Sequence, residues 1–194
     1  MRHELTPRGA ERREQLMSTA ARLFAERGYD PTSVGDVVEA VGVGKGVFYW
    51  YFTSKEELFA ELLRAGHRDL RRGQEAAIGD EPDPLRRIEA GIVASLAWFG
   101  EHRDVFTLLQ IARNDERFAP VLRKAQEIAV ADTVRHLKDA IVEGQIPDRD
   151  PEMLAQAILG VVERLTLALA FERGEPAARV AADAVGFCLG GLRR

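Results

Sequence analysis

Apolar residues recur at helical spacing along almost the whole chain, and no stretch alternates apolar with polar residues long enough to make a strand. Leu16, Ala20, Leu23 and Phe24 mark the inner stripe of a first helix from about Glu11 to Arg27, which Gly28 ends. Val34, Val37, Val38 and Val41 predict a short second helix, capped by Ser33 and stopped by Gly42. A third follows over residues 44–52. Ser54 and Glu57 form a capping-box pattern that opens a fourth helix, running through Leu58, Leu62 and Leu63 toward Arg72. Asp83 caps a fifth helix with Pro84 in its first turn, which reaches about Gly100 with Leu85, Ile88, Ile92 and Leu96 inward. A sixth is predicted over Asp104 to Arg113, and a seventh over Pro120 to Glu143 with Val130, Val134, Leu137 and Ile141. An eighth runs from Pro151 to about Glu172, and the last from Pro176 to Leu192. The fold class is all-α, with about nine helices.

The third helix holds the least ordinary pattern. Phe48-Tyr49-Trp50-Tyr51-Phe52 places five aromatic residues in a row, too many for one buried side to hide. Phe48 and Phe52, four apart, share the inner face, while Lys45, Gly46, Tyr49 and Trp50 turn the other way. An outward face of ammonium, phenol, indole and bare backbone suits phosphates and base edges. Two short helices joined by a glycine turn read as a helix-turn-helix whose second helix enters the major groove.

Residues from about Glu11 to Leu63 resemble the DNA-binding head of the tetracycline-repressor (TetR) family of transcriptional regulators. The matching string is Ala21-Arg22-Leu23-Phe24-Ala25-Glu26-Arg27-Gly28-Tyr29, Thr32-Ser33-Val34 with Val37-Val38, Ala40-Val41-Gly42-Val43, and Phe48 through Leu58. The resemblance implies a head over residues 1–54 and a helical effector-binding and dimerisation domain over 55–194, with the helix from Ser54 to about Arg72 connecting them. By position it puts Tyr49 and Lys55 on phosphates, with Thr32 and Ser33 at the start of the second helix beside another. Lys45, Gly46, Val47 and Trp50 are then the candidates for base readout, and Tyr51 adjoins them. Trp50 and Tyr51 depart from the basic or histidine residues common in the family, and Gly44 replaces a common serine cap.

The eighth helix is apolar around much of its circumference. Leu154, Ile158, Val161 and Leu165 make one stripe of it, and Ala184, Phe187 and Gly191 lie on the ninth. These residues are expected to pair with a second copy as a four-helix bundle, the arrangement the family resemblance favours over two helices buried in a monomer. Candidate contacts to a small, mostly apolar effector are Trp98, Phe99, Phe106, Leu109, Phe118 and Phe171, with Gln110, Arg113 and Glu163 as polar partners.

Composition adjusts this picture. The net charge of -4 opposes nucleic-acid binding taken alone, but residues 1–55 balance at +1 and the rest at -5, and Arg2, Arg8, Arg12 and Arg13 gather near the start. The Met1-Arg2-His3-Glu4 start has no apolar targeting segment, and Glu163-Arg164 interrupts the late apolar run, so a cytoplasmic protein without a membrane span is expected. Lone Cys188 excludes an intrachain disulfide and fits a small core position. His3, His67, His102 and His136 share no metal-ligand spacing, and neither metal nor cofactor is expected. Gly42-Val43-Gly44-Lys45-Gly46 lacks the spacing, hydroxyl and preceding strand of a phosphate-cradling loop, which argues against a nucleotide-hydrolysing enzyme. A DNA-binding factor without an effector is the other alternative, disfavoured by a body longer than dimerisation needs.

Overall fold

Thr6 accepts the amide of Gly9 through its side chain and Pro7 occupies the first turn, so α1 spans Pro7–Arg27, several residues longer than its apolar stripe. The computed structural model describes residues 6–193; Arg2, His3 and the rest of the start lie outside the described residues. Helix α2 covers Val34–Val41, α3 Lys45–Tyr51, α4 Lys55–Ile78, α5 Pro84–Glu101 and α6 Arg103–Arg113. A 3₁₀ turn at Glu116–Phe118 leads into α7, Ala119–Val142. Helix α8, Pro151–Leu165, continues as a π-helical segment over Thr166–Phe171, and α9 is Ala177–Leu192. The described residues contain these nine α-helices and no strand.

The starts of α2, α5 and α8 fall where expected because their caps are local. Asp83 accepts the amides of Leu85 and Arg86, and Asp150 that of Glu152. Helix α4 outruns its expected end near Arg72, since Gln74 to Ile78 favour helix and nothing breaks it before Gly79, which has φ 49°.

The chain packs as two units. The first takes the residues up to Gly66 together with Asp104–Leu122; the second holds His67–Arg103 and Arg123–Arg194. The first unit therefore extends past residue 54 and includes a segment expected to belong wholly to the sensing body. Helices α1 to α3 have little surface to bury on their own, α2 and α3 being only two turns each. Leu58, Phe59 and Leu63 from α4, with Leu108, Ala112 and Phe118 from beyond it, complete a core begun by Leu16, Leu23, Phe24, Val37, Phe48 and Phe52.

In the second unit α5, α7, α8 and α9 enclose an aliphatic core of residues such as Ile88, Ile92, Leu96, Leu137, Ile158, Val180 and Ala184, with Cys188 buried among them. By length and composition the helical stretch Pro151–Phe171 is apolar enough to cross a membrane despite Glu163-Arg164, contrary to the sequence expectation. Leu154, Ala155, Ile158 and Val162 of that stretch are buried in the unit's own core.

Candidate nucleic-acid interface

The reading helix is placed by the turn before it. Ser33 and Asp36 cap α2 reciprocally: the Asp36 amide donates to Ser33 Oγ, and the Ser33 amide donates to the Asp36 carboxylate at 2.7 Å. The Ser33 hydroxyl also donates to that carboxylate, and its bond, with the amide's, holds the Asp36 carboxyl below its usual range. Gly42 ends α2 in the left-handed region, at φ 74°, a conformation costly for other residues. Gly44 then starts α3 without a side-chain cap bond. A Cβ at Gly35 would stand 3.2 Å from Ser33 Oγ, the capping hydroxyl, and only in ordinary contact, 3.8 Å, with Lys45 Cε.

Phe48 and Phe52 anchor α3, both buried, with ring centroids 5.6 Å apart. Arg13 stacks its guanidinium over Phe52 at 5.1 Å, clamping the helix end from α1. On the opposite face Lys45 and Gly46 are exposed, Tyr49 is 55% exposed and Trp50 79%. A large aromatic so open to water is unusual unless a partner covers it. Val47 is half-buried beside them.

Three expected contacts sit elsewhere. Thr32 is fully buried, and its hydroxyl donates to the Gly28 carbonyl at 2.8 Å and to that of Leu23 at 3.4 Å, closing the end of α1. Its side chain cannot reach a phosphate. Lys55 donates from Nζ to the carbonyls of Tyr29 (2.8 Å) and Thr32 (2.9 Å) and lies 4.1 Å from the Tyr29 ring centroid. The ammonium thus latches the turn between α1 and α2 instead of pointing at a ligand. Tyr51 is half-buried against the head's core, its ring tilted on Phe52 at 6.5 Å. Ser33 remains exposed at the start of α2.

Arg117 was not legible as part of this arrangement. Its guanidinium pairs with Asp115, reaches Asp30 at 3.2 Å and Glu56 at 3.8 Å, and covers the Tyr29 ring at 4.9 Å. These groups bind the segment after α6 to the same turn that Lys55 holds. The only sequence signal is the local pair Asp115 and Arg117.

The second unit contains a cavity of about 670 Å³ of atom-free space, its open mouth included. Residues of α4, α5, α7 and α8 line it, among them Arg71, Arg87, Ile92, His136, Ile158 and Val162. None of the nine residues expected to contact an effector lines it. Trp98 and Phe99 are buried, and the Trp98 indole donates to Asp69 at 2.8 Å. Leu109 and Phe118 pack with the head's core, and Phe106 is buried. Phe171 lies under the guanidinium of Arg103 at 4.2 Å. Gln110 and Glu163 are half-buried and Arg113 is exposed. Aromatic content selected packing residues here, because rings fill cores more often than pockets.

The expected pairing residues also divide. Leu154, Ile158 and Ala184 are buried within the unit's own core and cannot face a second copy. Phe187 is 70% exposed, Gly191 is exposed, and Val161 and Leu165 are half-buried. Met153, Ala157 and Gly160 on α8, with Ala182, Gly186 and Gly190 on α9, complete the open side.

The family described as bacterial regulatory proteins, tetR family, matches residues 16–62, which include α2 and α3 whole. The HTH-type transcriptional regulator TtgR of Pseudomonas putida is 30% identical over 166 residues, spanning 80% of this chain and 78% of its own. Among solved structures, the ketosteroid transcriptional regulator KstR2 of Mycobacterium tuberculosis aligns with TM-score 0.74 and 27% identity, over 94% of this chain and 95% of that one. The fatty acid degradation regulator FadR from Bacillus halodurans shares the fold, with TM-score 0.87 at 16% identity over 98% and 99% of the two chains. With α3 anchored by two phenylalanines and its lysine, tyrosine and tryptophan left outward, the chain is a helix-turn-helix transcriptional regulator of the tetR family.

Proposed function

We propose that this regulator is a cytoplasmic repressor that binds a palindromic operator as a homodimer and leaves it when a small, mostly apolar effector occupies the second unit. The observation that supports this most directly is the outward face of α3, where Lys45, Gly46, Tyr49 and Trp50 stand exposed on a helix fixed from behind by Phe48 and Phe52. In the major groove Lys45 donates to guanine, Val47 packs on a thymine methyl, and Tyr49 and Ser33 meet phosphates.

So short a helix selects a sequence only in duplicate. The open sides of α8 and α9 supply a self-complementary surface: a Cβ added at Gly160, Gly186, Gly190 or Gly191 would meet nothing within 4 Å, and Phe187 projects beside them. Pairing there presents two heads to successive grooves about 34–36 Å apart. An effector that favours the wrongly spaced dimer by roughly 100-fold, about 2.7 kcal/mol, releases much of the operator.

Selection of bound duplexes from a random pool tests the reading. A two-fold symmetric motif with half-sites about one helical turn apart is expected, and Phe187→Asp should leave monomers that enrich neither half. Protein that retains no duplex even at low salt overturns it.

A further inference from the structure

The polar groups around the cavity specify what it accepts. Its apolar wall includes Ile78, Ile88, Ile92, Leu159 and Val162. The ionic groups near it are already matched: Asp132 accepts from Arg71 and Arg135 at 2.6 Å each, Glu75 lies 3.2 Å from Arg71, and Asp139 holds Arg87 at 3.0 Å. Three guanidinium groups thus face three carboxylates. Gln74 donates to the Ser95 hydroxyl, which in turn donates to the Gly91 carbonyl.

Two polar atoms are left over. Arg87 Nε and His136 Nδ1 are both buried and both without a hydrogen-bond partner. Unmet polar groups away from water are unfavourable, so a molecule that supplies the missing partner gains free energy that a bare hydrocarbon does not. Arg87 Nε can only donate, whereas an uncharged imidazole nitrogen donates or accepts according to its tautomer. Burial, with the neighbouring cations of Arg87 and Arg135, holds His136 below its ordinary value, against the opposing pull of Asp139 and Asp132. The ring is therefore uncharged at neutral pH. A carboxylate or ammonium entering this site finds no spare counter-charge to offset its lost hydration.

We propose that the cavity binds an uncharged, mostly apolar molecule whose hydroxyl or carbonyl oxygen accepts from Arg87 Nε–H, with His136 beside it as second partner. This deepens the effector reading above and rests on it. Four probes of equal length separate the possibilities: octan-2-one, octan-1-ol, octanoate and octylammonium, titrated calorimetrically into the protein with and without operator DNA. The ketone and alcohol should bind at least about tenfold tighter than either ion. Arg87→Leu should remove most of that preference while leaving DNA binding intact, because Asp139 is half exposed and stays solvated alone. His136→Phe gives an independent variant expected to weaken the alcohol by a smaller factor. Equal or tighter binding of an ion, no binding by any of the four, or a ketone affinity indifferent to both substitutions overturns the assignment of ligand class. The effector reading fails separately if a bound probe of either kind leaves operator affinity unchanged.

Discussion

The two units solve opposite problems with different side chains. In the first, Phe24, Tyr29, Phe59 and Phe118 interlock with ring centroids 4.5 to 5.5 Å apart, several edge to face, and Thr32, Lys55 and Arg117 bind the turn above them. In the second, the buried cluster around Ile88, Leu137 and Ala184 is aliphatic. A cavity remains there, and α8 ends in a π-helical segment. Rigid aromatic packing with directional latches suits a helix that must be presented in one orientation. A core of aliphatic side chains around a void suits the effector-responsive half proposed above.

The largest effect that would break this comparison is at Phe118. If the segment after α6 belongs to the head's core, Phe118→Ala removes a ring packed 4.5 Å from Phe59 and 5.2 Å from Tyr29. A loss of about 3–5 kcal/mol is expected. Hydrogen exchange should show α1 to α3 losing protection, and operator affinity should fall with them. Lost protection confined to α8 and α9 would instead assign the residue to the second unit.

That placement also shows where the sequence stopped being informative. All nine α-helices of the described residues were legible, because Ser33, Asp83 and Asp150 cap locally and the valine and leucine stripes repeat within single helices. The outward side of α3 was legible for the same reason: Phe48 and Phe52 can share only one face. Thr32 and Lys55 were not, since the bonds that engage them run to carbonyls 4 to 26 residues away. The cavity escaped because its lining is scattered over four helices as isoleucines and paired charges, with no local pattern. On α8 and α9 two apolar sides compete, and periodicity does not say that Leu154, Ile158 and Ala184 are the inner ones.

A middle-sized effect sharpens the contrast at Lys55. As a latch it holds the Tyr29 and Thr32 carbonyls, and Lys55→Met should lower the stability of the first unit by about 1.5–3 kcal/mol. As a phosphate contact, its loss would flatten the salt dependence of DNA binding by about 0.9 in logarithmic slope for each head. The geometry predicts weaker binding with the slope unchanged. A slope reduced by nearly two per dimer would return Lys55 to the DNA.

The smallest effect separates the units by pH. Both histidines with displaced values, His67 and His136, lie in the second unit, and each is held below its ordinary value chiefly by burial. An imidazole depressed in the folded state binds fewer protons than in the unfolded chain, so stability rises with pH across that window and levels off above about 6.5. The first unit has no histidine among its described residues. Its displaced carboxyls, Asp36, Glu56 and Asp115, are lowered, and their contribution persists until the pH falls toward their folded values, well below neutrality. Acidification from pH 7 to 5 should therefore loosen the second unit while α1 to α3 keep their exchange protection. Replacing both histidines by glutamine should remove most of that difference, since glutamine does not titrate. Equal loosening of both units over this range would mean that the imidazoles are not what distinguishes them.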